Sequence, residues 1–208
     1  WEHVIQANGI RDKNEYLRTP RIGRGKRLSR PDRAKMGEIF EEYIHNLSVT
    51  GKSEWIDLIR ETRKYLEQND YVFPYRAIIV DETQDFHREE LKLIRAIIPE
   101  GENDIFLVGD AHQRIYGQPV VLSRCGINIR GRSKKLKINY RTTEEIGKLA
   151  TSILIEIPID DMDGQFDEML GYKALLHGPE PKIQNFKTLS DEIEYLKSTI
   201  SSLLEDVE

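Results

Sequence analysis

Two short apolar runs dominate the chain, Ala77-Ile78-Ile79-Val80 and Ile105-Phe106-Leu107-Val108, and each leads into carboxylates, Asp81-Glu82 in one case and Asp110, after Gly109, in the other. Runs too short for helices and rich in Ile and Val predict strands buried on both faces of a parallel sheet. Between them Leu91, Leu93, Ile94, Ile97 and Ile98 recur at near-helical spacing until Pro99 stops the pattern. Strand, helix, strand is a crossover unit, so the two strands are expected to be parallel neighbours. Asp81-Glu82 and Asp110 would then leave the sheet at one carboxyl-end edge, where open α/β sheets bind ligands.

Amphipathic helices flank this unit. Ile39, Phe40, Tyr43, Ile44 and Leu47 fall on one face, after a possible cap at Asp32. Trp55, Leu58, Ile59, Thr62, Tyr65 and Leu66 fall on another, after Ser53, a predicted N-cap. Further on, Thr142 and Glu145 have capping-box spacing ahead of Ile146, Leu149, Ala150, Ile153 and Leu154. Residues 158–168 are acidic, carry Pro158 and Gly164, and predict a surface loop. Pro181–Phe186 predicts a strand, and Ser190 caps a last helix with Ile193, Leu196, Ile200, Leu203 and Leu204 in one stripe. Residues 1–31 show no clear periodicity.

The 208 residues are 38% hydrophobic and 32% charged, with a net charge of −5. No run is long enough and apolar enough to span a bilayer, and nothing resembles a signal peptide. The single cysteine, Cys125, excludes an intrachain disulfide and fits a cytoplasmic setting. The first residue is Trp, so the chain is expected to be an excised piece of something longer. Against the acidic balance, Arg18 to Lys35 contains eight Lys or Arg and one acid, Asp32. Such a segment, with Arg24, Lys26 and Arg27 at its centre, is either a solvated arm or a contact for a nucleic-acid backbone. Six basic residues between Arg130 and Arg141 form a second such run.

Adjacent carboxylates at a strand end can divide a phosphoryl-transfer task, one holding Mg2+ through its water shell and the other orienting or deprotonating water. Asp-Glu after a strand is also an ordinary turn and helix-start signal, so the pair alone decides nothing. Two strings imitate a phosphate-binding loop and fail. Before Gly51-Lys52-Ser53 the required first glycine is Asn46, and before Gly25-Lys26 it is Pro20, with Arg27 in place of the hydroxyl. Neither follows a buried strand.

Asp81-Glu82-Thr83-Gln84-Asp85, followed by Val108-Gly109-Asp110-Ala111-His112-Gln113-Arg114-Ile115-Tyr116-Gly117, resembles motifs II and III of UvrD/Rep-type superfamily 1 DNA helicases. Leu136-Lys137-Ile138-Asn139-Tyr140-Arg141-Thr142-Thr143-Glu144-Glu145-Ile146 resembles motif IV of the same family. The resemblance implies an α/β fold, a partial RecA-like P-loop NTPase parallel sheet with a preceding helical segment. Residues 1–72 would end helical subdomain 1B, 73–135 would form the second half of the first RecA-like domain, and 136–208 would begin the second. It implies ATP and Mg2+ as cofactors and single-stranded DNA, or its junction with duplex, as partner, with movement 3′-to-5′. Asp81 would hold Mg2+ with Glu82, Glu82 would activate water, Gln113 would sense the terminal phosphate, Arg141 would be an arginine finger, and Tyr140 would lie on the adenine. Tyr116 would stack on a base. The family's aromatic and Arg-Gly after motif III are replaced here, with Gln118-Pro119 in those places, which puts one DNA contact in doubt. Two other readings stay open: a non-translocating nucleic-acid-binding or regulatory protein with a degenerate ATPase fold, and a metal-dependent nuclease using Asp81, Glu82, Asp85 and Asp110.

Overall fold

The computed structural model describes residues 1–6, 8–19, 28–114, 119–155, 157–167 and 171–205. It divides into two compact units, Trp1–Lys134 with Pro158–Glu168, and Lys135–Ile157 with Met169–Glu208. Arg24, Lys26, Arg27, Tyr116 and Gln118 lie outside the described residues.

The first unit opens with a small core of Val4, Ile5, Ile10, Tyr16 and Phe40, so the aperiodic N-terminal stretch does pack. Helix α1 (Lys13–Arg18) is capped by Asp12, and α2 (Arg30–Val49) by Ser29, whose hydroxyl accepts the Asp32 amide at 3.2 Å. The cap is therefore Ser29 and not Asp32, with Pro31 in the first turn, where a missing N–H costs nothing. Only Phe40 of the expected α2 stripe is buried; Ile39 is exposed.

Helix α3 (Trp55–Gln68) begins after Glu54 rather than Ser53, and Glu54 makes no side-chain cap bond. Glu54 instead gathers Trp1 Nε1, Gln6 Nε2 and the Tyr43 hydroxyl at 2.8–2.9 Å. The buried face is Ile56, Ile59, Arg60 and Leu66, while Trp55, Leu58 and Tyr65 are exposed. This rotation from the expected stripe has an electrostatic cause. Glu89 of α4 (Arg88–Ile97) is buried and takes Lys92 at 2.9 Å, Arg63 at 3.2 Å and Arg60 at 3.9 Å. Burial pushes the Glu89 carboxyl up, but Lys92 and Arg63 outweigh it and hold it below its ordinary value. A stripe carrying those arginines must face α4, because one partner of a buried ion cluster cannot be withdrawn cheaply.

Strands β1 (Ile78–Val80) and β2 (Ile105–Leu107) pair in parallel, with Ile78 opposite Ile105 and Val80 opposite Leu107. Helix α4 joins them, capped by His87, whose amide donates to Glu90 at 2.7 Å. Leu91 of α4 is fully buried with Leu122, Cys125, Ile127 and Met162, against Ile105 and Leu107. The expectation of burial on both faces fails: Ile79 and Phe106, on the other face, are 77% and 62% exposed. Period-2 alternation sends them away from the one layer that covers this sheet among the described residues. Residues 158–167 are irregular as expected, yet Ile159 and Met162 are buried.

In the second unit β3 (Ile138–Thr143) pairs in parallel with β4 (Lys173–Leu176). Pro181–Phe186, the expected strand, is not one; Phe186 instead packs on Tyr195 of α6 (Leu189–Glu205), with ring centroids 5.1 Å apart. Helix α5 (Glu144–Ser152) is capped by Thr143 rather than Thr142. No hydrophobic side chain described in this unit is buried: of the stripes predicted on α5 and α6, Leu149 and Leu154 are half-buried and the rest are exposed. No described helix is long and apolar enough to cross a membrane.

Candidate active site

The parallel register sets Asp81 and Glu82 beside Val108, Gly109 and Asp110 at one edge of the β1–β2 sheet. Val108 donates to the Val80 carbonyl at 2.8 Å, continuing the ladder one step past the strands. Thr83, 2% exposed, then donates both its amide and its hydroxyl to the Val108 carbonyl, at 2.9 and 2.8 Å. The two acidic loops are thus clamped together.

Glu82 sits in the left-handed region, φ 50 and ψ 41, as the residue before a 3-10 turn over Thr83–Asp85. A non-glycine residue there costs on the order of 1–3 kcal/mol and persists only where its surroundings hold it. Asp81 Oδ1 accepts the Glu82 amide at 2.9 Å, and Glu82 Oε2 accepts the Gln84 carboxamide at 2.7 Å. Gln84, 4% exposed, uses its other end on the second loop: its Oε1 accepts the Asp110 amide at 2.9 Å. One buried side chain therefore touches both Glu82 and Asp110. The close approach needs Gly109, where a Cβ would meet Gln84 Oε1 at 2.7 Å.

Asp110 caps the turn Ala111–Gln113. Its Oδ2 accepts the Gln113 carboxamide at 2.8 Å, and its Oδ1 lies 2.8 Å from His112 Nδ1. Burial raises the Asp110 carboxyl, but the bonds from Gln113 and His112 outweigh it and keep the group below its ordinary value, ionised at neutral pH. Arg114 follows, its Nε on the Gln84 carbonyl at 3.3 Å and its guanidinium paired with Asp160.

The first unit thus brings Asp81, Glu82 and Gln113 to one sheet edge. Tyr140 and Arg141 lie on β3 in the second unit with exposed side chains; the Arg141 amide donates to Asn139 Oδ1 at 2.7 Å. Sequence reading assigned no role to Thr83, Gln84, Gly109 or Arg114. The signal for them was proximity to Asp81-Glu82 and Asp110, but their work lies in joining the two loops. A cavity of about 420 Å³ lined by Arg63, Glu67, Lys92, Arg95 and Arg124 contains none of these residues, and its Arg63, Lys92 and Arg95 are already paired with acids.

Asp81 offers hard carboxylate oxygens to solvent beside the Glu82 amide that it accepts, which fits an oxygen-seeking divalent cation such as Mg2+. No three His, Cys, Asp or Glu side chains among the described residues converge to hold a metal directly. A cation here would depend on water and phosphate oxygens for most of its shell, the usual mode for Mg2+.

The chain is 28% identical over 171 residues to the ATP-dependent DNA helicase UvrD1 of Mycobacterium tuberculosis, 72% of this chain and 22% of the relative. It is 23% identical over 176 residues to a probable DNA helicase II homolog of Mycoplasma genitalium, 79% of this chain and 25% of the relative. Over 97 residues, 43% of this chain and 8% of the relative, it is 31% identical to an ATP-dependent helicase/nuclease protein of Lactobacillus johnsonii. The chain spans a quarter or less of the length of these relatives. The model of the UvrD/REP helicase N-terminal domain matches residues 4–118, which takes in β1, β2 and both acidic loops, and the chain belongs to that family.

Proposed function

We propose that this chain is the central part of an ATP-dependent DNA helicase, coupling ATP hydrolysis to 3′-to-5′ movement on single-stranded DNA. In this reading the fold is RecA-like, of the P-loop NTPase type. Residues 1–72 end subdomain 1B, 73–135 form the second half of the first RecA-like domain, and 136–208 begin the second, except that Pro158–Glu168 belong with the first unit, in a cytoplasmic protein. The observation that carries it is the meeting of Asp81-Glu82 and Asp110–Gln113 at the carboxyl ends of paired parallel strands, bridged by Gln84. Such an edge is where open α/β sheets hold nucleotides.

The residues divide the work as follows. Asp81, with Glu82, holds Mg2+, which when bound neutralises phosphate charge. Glu82, fixed by its backbone and by Gln84, orients and deprotonates the attacking water. Gln113 senses the terminal phosphate by giving up its bond to Asp110. Arg141 supplies a guanidinium to charge developing in the transition state, and Tyr140 stacks on adenine. Tyr116, with the basic arm of Arg24, Lys26 and Arg27, contacts the DNA strand.

The test is Glu82→Gln in the full-length protein. The amide keeps size and hydrogen bonding to Gln84 but is no base. ATP should bind as before while DNA-stimulated phosphate release falls at least about a hundredfold. Turnover equal to wild type overturns the assignment.

A further inference from the structure

Residues 158–167 follow α5 in sequence yet pack within the first unit, against the loop that carries Gln113. Several interactions hold them there. Met162 enters the core with Leu91, Leu122 and Cys125, and its carbonyl accepts the Leu122 amide at 3.0 Å. Asp163 lies 3.6 Å from Arg130, and Asp167 Oδ2 lies 3.8 Å from His112 Nε2. Asp160 grips Arg114 through its two terminal guanidinium nitrogens, Nη1 to Oδ2 and Nη2 to Oδ1, the latter at 3.3 Å.

The last pair differs from a surface ion pair. The Arg114 and Asp160 side chains are only 10% and 18% exposed, so water screens them poorly and the bidentate geometry fixes direction as well as distance. Asp160 is itself aimed, because its Oδ1 accepts the Met162 amide at 3.0 Å. Arg114 is the residue after Gln113, and its Nε reaches the Gln84 carbonyl. Gln84 in turn holds Glu82 and the Asp110 amide. An unbroken line of contacts runs Asp160, Arg114, Gln84, Glu82.

We infer that Asp160, acting through Arg114, is a positioning residue for Glu82 and Gln113, so that residues 158–167 set the geometry of the hydrolytic edge. The inference rests on the reading of Glu82 as the water-activating base. Met162 and its hydrogen bond anchor the segment independently, so loss of the ion pair leaves the segment attached while freeing Arg114 and the Gln84 carbonyl it steadies.

The experiment compares Asp160→Asn, Met162→Ala and Glu82→Gln in the full-length protein, by DNA-stimulated phosphate release and thermal unfolding. Asparagine keeps the acceptor for the Met162 amide and removes the charge. Asp160→Asn should lower kcat about three- to tenfold, the range seen when a coupling contact is cut, with KM for ATP and the unfolding midpoint near wild type. Met162→Ala should show the reverse pattern, a lower midpoint with a smaller loss of kcat. The inference is overturned if Asp160→Asn leaves kcat unchanged, if its loss is confined to KM, or if both variants lose kcat in proportion to stability. Wild-type turnover by Glu82→Gln defeats the functional reading itself, whereas an inactive Glu82→Gln beside a normal Asp160→Asn defeats only the inference.

Discussion

At Gly109 there is room for a hydrogen and nothing larger. An added Cβ would stand 2.7 Å from Gln84 Oε1 and 3.1 Å from the Thr83 amide, and both neighbours are already held by hydrogen bonds to the paired loops. Gly109→Ala should destabilise the first unit by about 1–3 kcal/mol, the usual cost of overpacking, and loosen the Gln84 contact with Asp110. Urea denaturation measures the loss; an unchanged midpoint means that the loop yields freely. At this scale the arrival of Asp81, Glu82 and Asp110 at one sheet edge was legible from residue type and place, whereas Gln113 was singled out only by the family resemblance. Gln84 and Arg114 were not. Gln84 stood in view inside Asp-Glu-Thr-Gln, but its task is to join two loops 26 residues apart, which the order of residues does not show. Arg114 drew no role because its partner, Asp160, is 46 positions away.

Among elements, the crossover β1–α4–β2 was legible from periodicity, since strand and helix periods differ and Leu91 falls on the helical one. The buried stripe of α3 was not, because Arg60 and Arg63 count as polar in any hydropathy pattern until Glu89 is known to lie opposite. Strand β4, Lys-Ala-Leu-Leu, lacks β-branched residues and exists through its pairing with β3, whereas Pro181 denies the later stretch a ladder donor. The start of α5 yields a pH prediction. Glu145, expected as the acidic half of a cap, instead accepts its own amide and that of Gly178, the latter at 2.9 Å, with His177 3.2 Å away. These bonds pull its carboxyl from the ordinary 4.5 down to about 2. A folded pKa below the unfolded one means stability that is fully present above 4.5 and drains away as pH falls toward about 2. The second unit should therefore lose thermal stability across that window. Glu145→Gln should start lower at neutral pH and show a flatter dependence; parallel curves for the two proteins refute the assignment.

For the molecule as a whole, the question is what these 208 residues do alone. Asp81 and Glu82, the carboxylates proposed to serve hydrolysis, are present, while both strings that imitate a phosphate loop fail on their first glycine. Backbone amides and lysine of such a loop normally supply much of the nucleotide affinity, and the net charge of −5 adds none. The purified chain should release no phosphate from ATP-Mg2+ above background. It should bind single-stranded DNA weakly, with an affinity that falls steeply with salt. Robust DNA-stimulated hydrolysis by this chain would mean that the nucleotide site lies elsewhere.

The placement of Met162 also bears on how the gene can be divided. The first unit is interrupted in sequence: the polypeptide leaves it at Lys134, comes back at Pro158 and departs again after Glu168. A clone stopped at the obvious boundary, Lys134, would omit a side chain that Leu91, Leu122 and Cys125 pack around, and with it the carboxylate that Arg114 grips. Shuffling, swapping or tagging by contiguous stretches would therefore split one core between two pieces of DNA.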